Sequence, residues 1–314
     1  MEGMTIKVLR PSLFVSLRAL LFAVLAASAF SGCTVNTLVA NALTGGDAAV
    51  VFTGDPDPQL VGDAIPFALK MYEALLHSTP NHVGLMLTTG SMFVMYANAF
   101  VQGPAEMLPA TEVRARNEAN DRAMQLYMRG YSILTDALEQ RYRGFSSAIE
   151  NEQDFRLFVQ RFRKQDVPLL YWTVAGGLSA YSLDPMGELS FYMPMWQFMI
   201  EKAYELDPDY GGATLDEFFV LYYASIPEMM GGDMERARHH FDIAMEKTGG
   251  RSSSALISYA NAISRAENDR ATFEQRLRSV LALDPDDNPS ARLVTVLDQR
   301  KARWLLDNAD SIFR

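Results

Sequence analysis

Apolar residues recur at spacings of three and four along most of this 314-residue chain, which is the pattern of amphipathic helices. No alternating strand pattern lasts more than a few residues. Proline or glycine interrupts the apolar pattern repeatedly, and both end helices, because proline lacks an amide donor and glycine accepts a positive φ. The pattern predicts an all-α chain with helices over 63–77, 83–101, 112–142, 147–164, 167–182, 190–206, 212–224, 233–247, 253–266, 269–283 and 289–309.

One apolar stripe followed by a helix stop occurs four times. From Asp269 it runs through Phe273, Leu277 and Val280 to the breaker Pro285, and the same offsets fit from Asp233, Tyr192 and Ala64. Any amphipathic helix gives such a stripe, so a generic helical bundle is the alternative. The matched stops, two of which read Leu-Asp-Pro-Asp, favour a tetratricopeptide-like array of stacked antiparallel helix pairs with extra helices.

The N-terminus has the layout of a secretory leader. Three basic residues (Lys7, Arg10 and Arg18) accompany a 12-residue apolar stretch over 19–30, which is too short to span a bilayer as a helix. The chain's one cysteine, Cys33, follows at the cleavage position. This layout resembles the lipobox of bacterial lipoproteins, in which the cysteine is fatty-acylated. An ordinary signal peptide with a chance cysteine is the alternative.

These signals divide the chain into four segments. Residues 1–32 are predicted to be the lipoprotein signal peptide, and 33–62 the lipidated N-terminus and a tether that leads into the helical body. Residues 63–309 form the predicted helical domain, and 310–314 a short tail. Lipid anchorage predicts a periplasm-facing protein on the cell envelope. Thr34, in place of an inner-membrane retention Asp, favours the outer membrane.

Charge and cysteine content exclude several classes of function. Without the leader the chain keeps 25 basic and 37 acidic residues, and such an acidic surface repels phosphate backbones, so no nucleic-acid partner is expected. If Cys33 carries lipid, no thiol remains in the mature chain for disulfides, zinc–thiolate sites or iron–sulfur clusters.

The chain offers no arrangement of side chains typical of catalysis. Its four histidines include the neighbours His239 and His240, which point about 100° apart on a helix and cannot chelate one ion together. The serine stretch 177–181 lacks the final glycine of a nucleophile elbow and lies in a helical pattern. Asp216 and Glu217 suit the first turn of a helix, where they favour its dipole. We therefore expect no enzyme activity, metal or cofactor, and a hydrolase on an unfamiliar helical fold is a distant alternative.

Aromatic and methionine residues are abundant, with 18 Phe, 13 Tyr, 3 Trp and 17 Met. Most of them are expected to form the core between stacked helices. Some are candidates to line an adaptable apolar cleft, because methionine and aromatic side chains suit hydrophobic ligands. Trp172, Tyr181 and Trp196 are the candidate ligand-binding residues, since each combines a large face with a polar atom.

Taken together, these features resemble the T-component of tripartite ATP-independent periplasmic (TRAP) transporters, the TatT-type lipoproteins. The resemblance covers roughly 35–309 and includes the segments 61–70 and 89–100. It implies a helical periplasmic lipoprotein with a cleft or pore through each protomer and no catalytic residues. It also implies a homotrimer, binding of the substrate-binding P-subunit, and a small hydrophobic or carboxylate ligand. The alternative is a tetratricopeptide scaffold lipoprotein for cell-envelope or outer-membrane protein assembly.

Overall fold

The regular structure of the protein is helical, as predicted. The computed structural model describes residue 37, residues 39–41 and residues 46–313, and this part of the chain contains no β-strand. The predicted signal peptide and Cys33 lie outside the described residues. The main helices are α1 (Gly46–Thr53), α2 (Pro58–Ser78), α3 (Val83–Ala97), α4 (Val113–Arg141), α5 (Glu152–Phe158), α6 (Val167–Leu183), α7 (Met193–Leu206), α8 (Thr214–Ser225), α9 (Met234–Lys247), α10 (Ser253–Ser258), α11 (Arg270–Leu281) and α12 (Arg292–Asp307).

Consecutive long helices run antiparallel, which the side-chain pairs between them show. Between α3 and α4, Gly90 lies against Gly130, and Tyr96 contacts Arg122. The contact therefore moves forward along α3 as it moves backward along α4. In the same way, Asp216 at the start of α8 contacts Lys247 at the end of α9. The all-α class is confirmed, whereas the tetratricopeptide pairing of these helices stays a prediction.

The helical body begins earlier than the sequence pattern indicates. The side chain of Asp57 accepts hydrogen bonds from the amides of Gln59 and Leu60, and Pro58 occupies the first turn of α2. Both features favour helix initiation, so α2 starts five residues before the predicted 63. Helix α1 also lies within the predicted tether.

Two predicted helices contain π-helical turns. The helix predicted over 83–101 changes to π geometry at Asn98–Gln102 before a short α-helix, Gly103–Glu106. The helix predicted over 253–266 changes at Tyr259–Ser264. Such turns are rare and concentrate at functional sites.

The prediction of one continuous helix over 147–164 is wrong. This region holds a short helix at Phe145–Ala148, then α5, then a 3₁₀ turn at Val159–Arg161. Asn151 interrupts it, because its side chain accepts from the amides of Gln153 and Asp154 and starts a new helix.

The last helix packs against the first ones. Arg292 of α12 donates to the Gly54 carbonyl at 3.0 Å, and Lys301 forms an ion pair with Glu106 at 2.9 Å. The 24 residues Val83–Glu106 are long and apolar enough to cross a membrane. Helix α3, which forms most of this stretch, packs against α2, α4 and α6, so it is a core helix of this fold.

Candidate functional site

A cleft opens where α12 meets the N-terminal end of α2 and the π-helical end of α3. It has a volume of about 270 Å³, slightly below the ~300–1,000 Å³ of typical drug-sized sites. The cleft therefore suits a small molecule. Its lining residues are Pro58, Gln59, Gly62, Asp63, Tyr96, Ala99, Phe100, Pro104, Met107, Leu297 and Arg300.

The last turn of α3 and the π-helical turn together form the aromatic wall of this cleft. The rings of Tyr96 and Phe100 stack with centroids 5.7 Å apart. Gly62 faces this wall from α2, and a Cβ there would lie 2.8 Å from Phe100 Cδ1. The absence of a side chain at Gly62 therefore lets α2 pack directly against the Phe100 ring at one side of the cleft.

Polar side chains behind the wall hold the π-helical turn in place. The buried Tyr127 donates to Gln102 Oε1 at 2.6 Å, and Gln102 donates to Glu106 at 3.1 Å. Burial raises the pKa of Tyr127, so its hydroxyl stays protonated as a donor. Since Lys301 pairs with Glu106, these contacts connect α4, the π-helical turn and α12.

The cleft carries charges that other side chains do not neutralise. Among the residues that the structure describes, the side chains of Asp63 and Arg300 form no hydrogen bond or ion pair. A second cation lies beside the wall, where Arg122 donates to the Tyr96 hydroxyl at 3.4 Å. Chemically, the cleft combines apolar side chains with two exposed, unpaired ionic groups, which suits an amphipathic ligand.

A second polar cluster joins α8, α10 and α12. Ser252 donates to Glu217 at 2.6 Å, and Ser253 and Ser254 donate to Asp298 at 2.7 and 3.2 Å. Burial raises the pKa of both carboxyl groups, and the negative charge of Asp298 adds to the effect on Glu217. Their hydrogen bonds connect three helices, and we assign them a structural role.

The three predicted ligand-binding residues do not line the α2–α12 cleft. Trp196 is 0% exposed, and its indole donates to the Tyr131 hydroxyl at 3.2 Å. Trp172 is half-buried against Tyr171, with ring centroids 5.1 Å apart. Tyr181 is also half-buried and packs on the core. Their role in ligand binding stays a prediction, and for Trp196 it requires a ligand to enter between α4, α6 and α7.

Asp216, at the start of α8, is a buried charge with three polar partners. It is 0% exposed and accepts from His240 Nδ1 at 2.8 Å, Lys247 Nζ at 2.9 Å and the Tyr204 hydroxyl at 3.0 Å. Burial acts to raise the pKa of Asp216, but the three hydrogen bonds outweigh it and the pKa is lowered. The His240 ring stacks on Phe219 at 4.7 Å. Asp216 therefore connects α7, α8 and α9 through buried hydrogen bonds, in addition to its position in the first turn of α8.

Sequence reasoning missed the cleft residues because nothing marks them locally. Asp63 and Arg300 are 237 positions apart, and single charges on helices are usually solvated. The available signals were the aromatic pair Tyr96 and Phe100, one helical turn apart, and Gly62, which was assigned to the end of the predicted tether. No group of three or more His, Cys, Asp or Glu side chains in the described residues is arranged to hold a metal ion.

Comparison with known proteins gives a consistent assignment. A family model described as TRAP transporter T-component matches residues 54–313, which is most of the chain. An uncharacterised protein of Treponema pallidum (strain Nichols) is 37% identical over 274 residues, which cover 86% of this chain and 85% of the relative. The matched range includes every residue that lines the cleft. The chain therefore belongs to the TRAP transporter T-component family, an accessory family of TRAP transport.

Proposed function

We propose that this protein is a non-catalytic accessory component of a TRAP-type uptake system that binds the substrate-binding P-subunit and, in its α2–α12 cleft, a small apolar carboxylate. The family match over 54–313 is the observation that carries the proposal. The cleft adds support, because Arg300 offers an unpaired guanidinium beside the apolar Tyr96 and Phe100. A guanidinium binds a carboxylate through two parallel hydrogen bonds.

The partner is tested by mixing the purified chain with the P-subunit of a TRAP system from the same cells. Analytical ultracentrifugation should show a complex that sediments faster than either protein. A periplasmic binding protein from an ABC transporter is the control and should sediment alone. The partner assignment is wrong if the P-subunit also sediments alone at concentrations of tens of micromolar. Native mass spectrometry of the same samples tests the homotrimer that we propose from the family resemblance.

The envelope anchor is a separate part of the proposal. We infer that Cys33, outside the described residues, carries the lipid that holds the protein at the periplasmic face of the outer membrane. The sequence layout around Cys33 supports this anchor. Cys33→Ala should move the protein to the soluble fraction with an unchanged circular dichroism spectrum, and density-gradient separation of the two membranes tests the location. Retention of the variant in membranes that lack any partner subunit would contradict the lipid anchor.

A further inference from the structure

The α2–α12 cleft carries two ionic groups of opposite sign. Asp63 on α2 and Arg300 on α12 both line it, and both are exposed. Within the described part of the chain, neither pairs with the other or with a third side chain. Both charged groups are therefore available to a molecule that occupies the cleft.

The neighbouring charges differ from this pair. Glu106 lies close by but is neutralised by Lys301 at 2.9 Å, and Gln102 also donates to it. Arg122 is directed to the Tyr96 hydroxyl and ring. Asp63 and Arg300 are therefore the free anion and the free cation of this cleft.

The apolar part of the cleft sets the size and shape of what fits. Stacked Tyr96 and Phe100 form one wall, and Leu297 and Met107 contribute aliphatic surface. The volume of about 270 Å³ is small for a drug-sized ligand. A ligand complementary to all of these features has one apolar side chain, one carboxylate and one ammonium group.

We propose that the cleft binds an apolar zwitterion of the amino-acid class, with its carboxylate on Arg300, its ammonium group on Asp63 and its side chain against Tyr96 and Phe100. The inference rests on the proposed function, because it specifies the ligand of the same cleft. It adds the ammonium group as the determinant of specificity and assigns Asp63 to it. Charge-assisted hydrogen bonds at both ends fix the orientation of such a ligand.

The test is isothermal titration calorimetry on the full chain in detergent, in a buffer without amines or carboxylates. The probes are L-leucine and L-phenylalanine, their desamino acids 4-methylpentanoate and 3-phenylpropanoate, and the amine 3-methylbutylamine. We expect the amino acids to bind about tenfold more tightly than the desamino acids. The amine should bind more weakly than the amino acids, because it lacks the group that Arg300 recognises.

Variants separate the two ionic groups. Asp63→Asn should remove the tenfold preference for the amino acids without weakening the desamino acids, because it also removes the repulsion between Asp63 and their carboxylate. Arg300→Ala should weaken both classes. Asp121→Asn on α4 and Arg303→Ala on α12 are matched controls, because both residues are exposed and lie outside the cleft. Circular dichroism of every variant verifies that the fold is retained.

The outcomes distinguish this inference from the function on which it rests. Equal binding of amino and desamino acids, insensitive to Asp63→Asn but lost in Arg300→Ala, would overturn the zwitterion and leave the carboxylate ligand intact. Binding of the amine alone would overturn both assignments. If no probe binds at millimolar concentration, both ligand assignments fail, whereas the partner experiment with the P-subunit is unaffected.

Discussion

The two halves of the molecule differ in where most of their glycines lie. In α2–α7, glycines lie inside helices where another helix approaches: a Cβ at Gly90 would lie 2.5 Å from Leu134 Cγ, and one at Gly177 would lie 2.4 Å from Trp196 Cζ2. After α7 the positive-φ glycines are in turns, as at Gly212 and Gly250, whereas the first half has one such glycine, Gly144, among its described residues. At these positions of the first half, the absence of a side chain lets backbones and large rings come close.

The second half holds its helices together with buried polar groups. Asp216 joins α7, α8 and α9 through Tyr204, His240 and Lys247. The polar cluster around Glu217 joins α8 to α10, and Asp298 joins α10 to α12. Directed polar contacts also occur in the first half, where the buried Asp166 accepts from the Tyr142 hydroxyl at 2.6 Å and pairs with Arg141 at 3.0 Å. The two halves therefore differ in where their glycines lie more than in their use of buried polar groups.

Removal of the Trp196 side chain should have the largest effect on the first half. Trp196→Ala leaves a large cavity, because the ring is fully buried and faces Gly177. We expect a loss of about 3–5 kcal/mol in the free energy of unfolding, measured by urea denaturation. Trp304→Ala is the control, because Trp304 is only partly buried on α12. An equal loss in both variants would contradict the special packing at Trp196.

Asp216→Asn should have the next largest effect, because it weakens the buried hydrogen bonds that connect α7, α8 and α9. The change removes the buried anionic partner of Lys247 Nζ, which keeps its ion pair with Asp209 at 3.0 Å. We therefore expect a loss of about 2–3 kcal/mol at neutral pH, the size of hydrogen bonds to a buried charge. Asp242→Asn, an exposed change on α9, should have no measurable effect.

The pH dependence of that loss has a defined sign. Because the pKa of Asp216 is lowered in the folded state, its stabilisation is present above the ordinary carboxyl pKa of about 3.9 and is lost as pH falls through the folded value. The wild type and Asp216→Asn should therefore converge at strongly acidic pH. A constant difference between them would show that packing, and not charge, produces the effect.

Paired glycine substitutions test the comparison directly. Gly90→Ala should cost about 1–3 kcal/mol by overpacking against Leu134. Gly212→Ala should cost about 1 kcal/mol or less by backbone strain alone, because its φ is +77° and no atom lies within 4 Å of the added Cβ. Asparagine, which tolerates positive φ, should restore stability at 212 and worsen it at 90. If asparagine behaves alike at the two positions, the proposed difference between the halves is wrong.

The smallest effect is expected at Glu217. Burial raises the pKa of this carboxyl group, so the folded state binds its proton more tightly, and stability falls as pH rises through the window above the ordinary carboxyl pKa. Glu217→Gln removes the buried charge and keeps an oxygen that accepts from Ser252. The variant should be slightly more stable than the wild type at pH 8 and equal to it at pH 4, measured by thermal unfolding.

Much of the fold was predictable because helix periodicity is a local property. The predicted helix 112–142 differs from α4 by one residue at each end, and the family resemblance was confirmed by the match over 54–313. The π-helical turns at 98–102 and 259–264 were not predictable, because a π-helical turn changes the spacing of apolar residues by no more than about one position. The helix break at Asn151 was missed because the apolar pattern continues across a capping side chain.

The candidate site was less predictable than the fold. Trp172, Tyr181 and Trp196 were chosen for their chemistry alone, and residue chemistry does not tell whether a ring faces a cleft or another helix. Gly177 explains the position of Trp196, since the missing Cβ leaves space that the indole fills. The cleft depends on α12 returning to α2, a contact between residues more than 200 positions apart that no local pattern encodes.

A role of this chain in TRAP transport should be visible in solute uptake by intact cells. Uptake of the labelled TRAP solute is measured across a range of low concentrations in cells that lack only this chain, and in the same cells complemented with the wild type or with Cys33→Ala. We predict reduced uptake without the chain and full recovery with the wild type, at equal amounts of the other TRAP subunits. Uptake that is unchanged at every concentration in cells without the chain would contradict a role of this chain in TRAP transport.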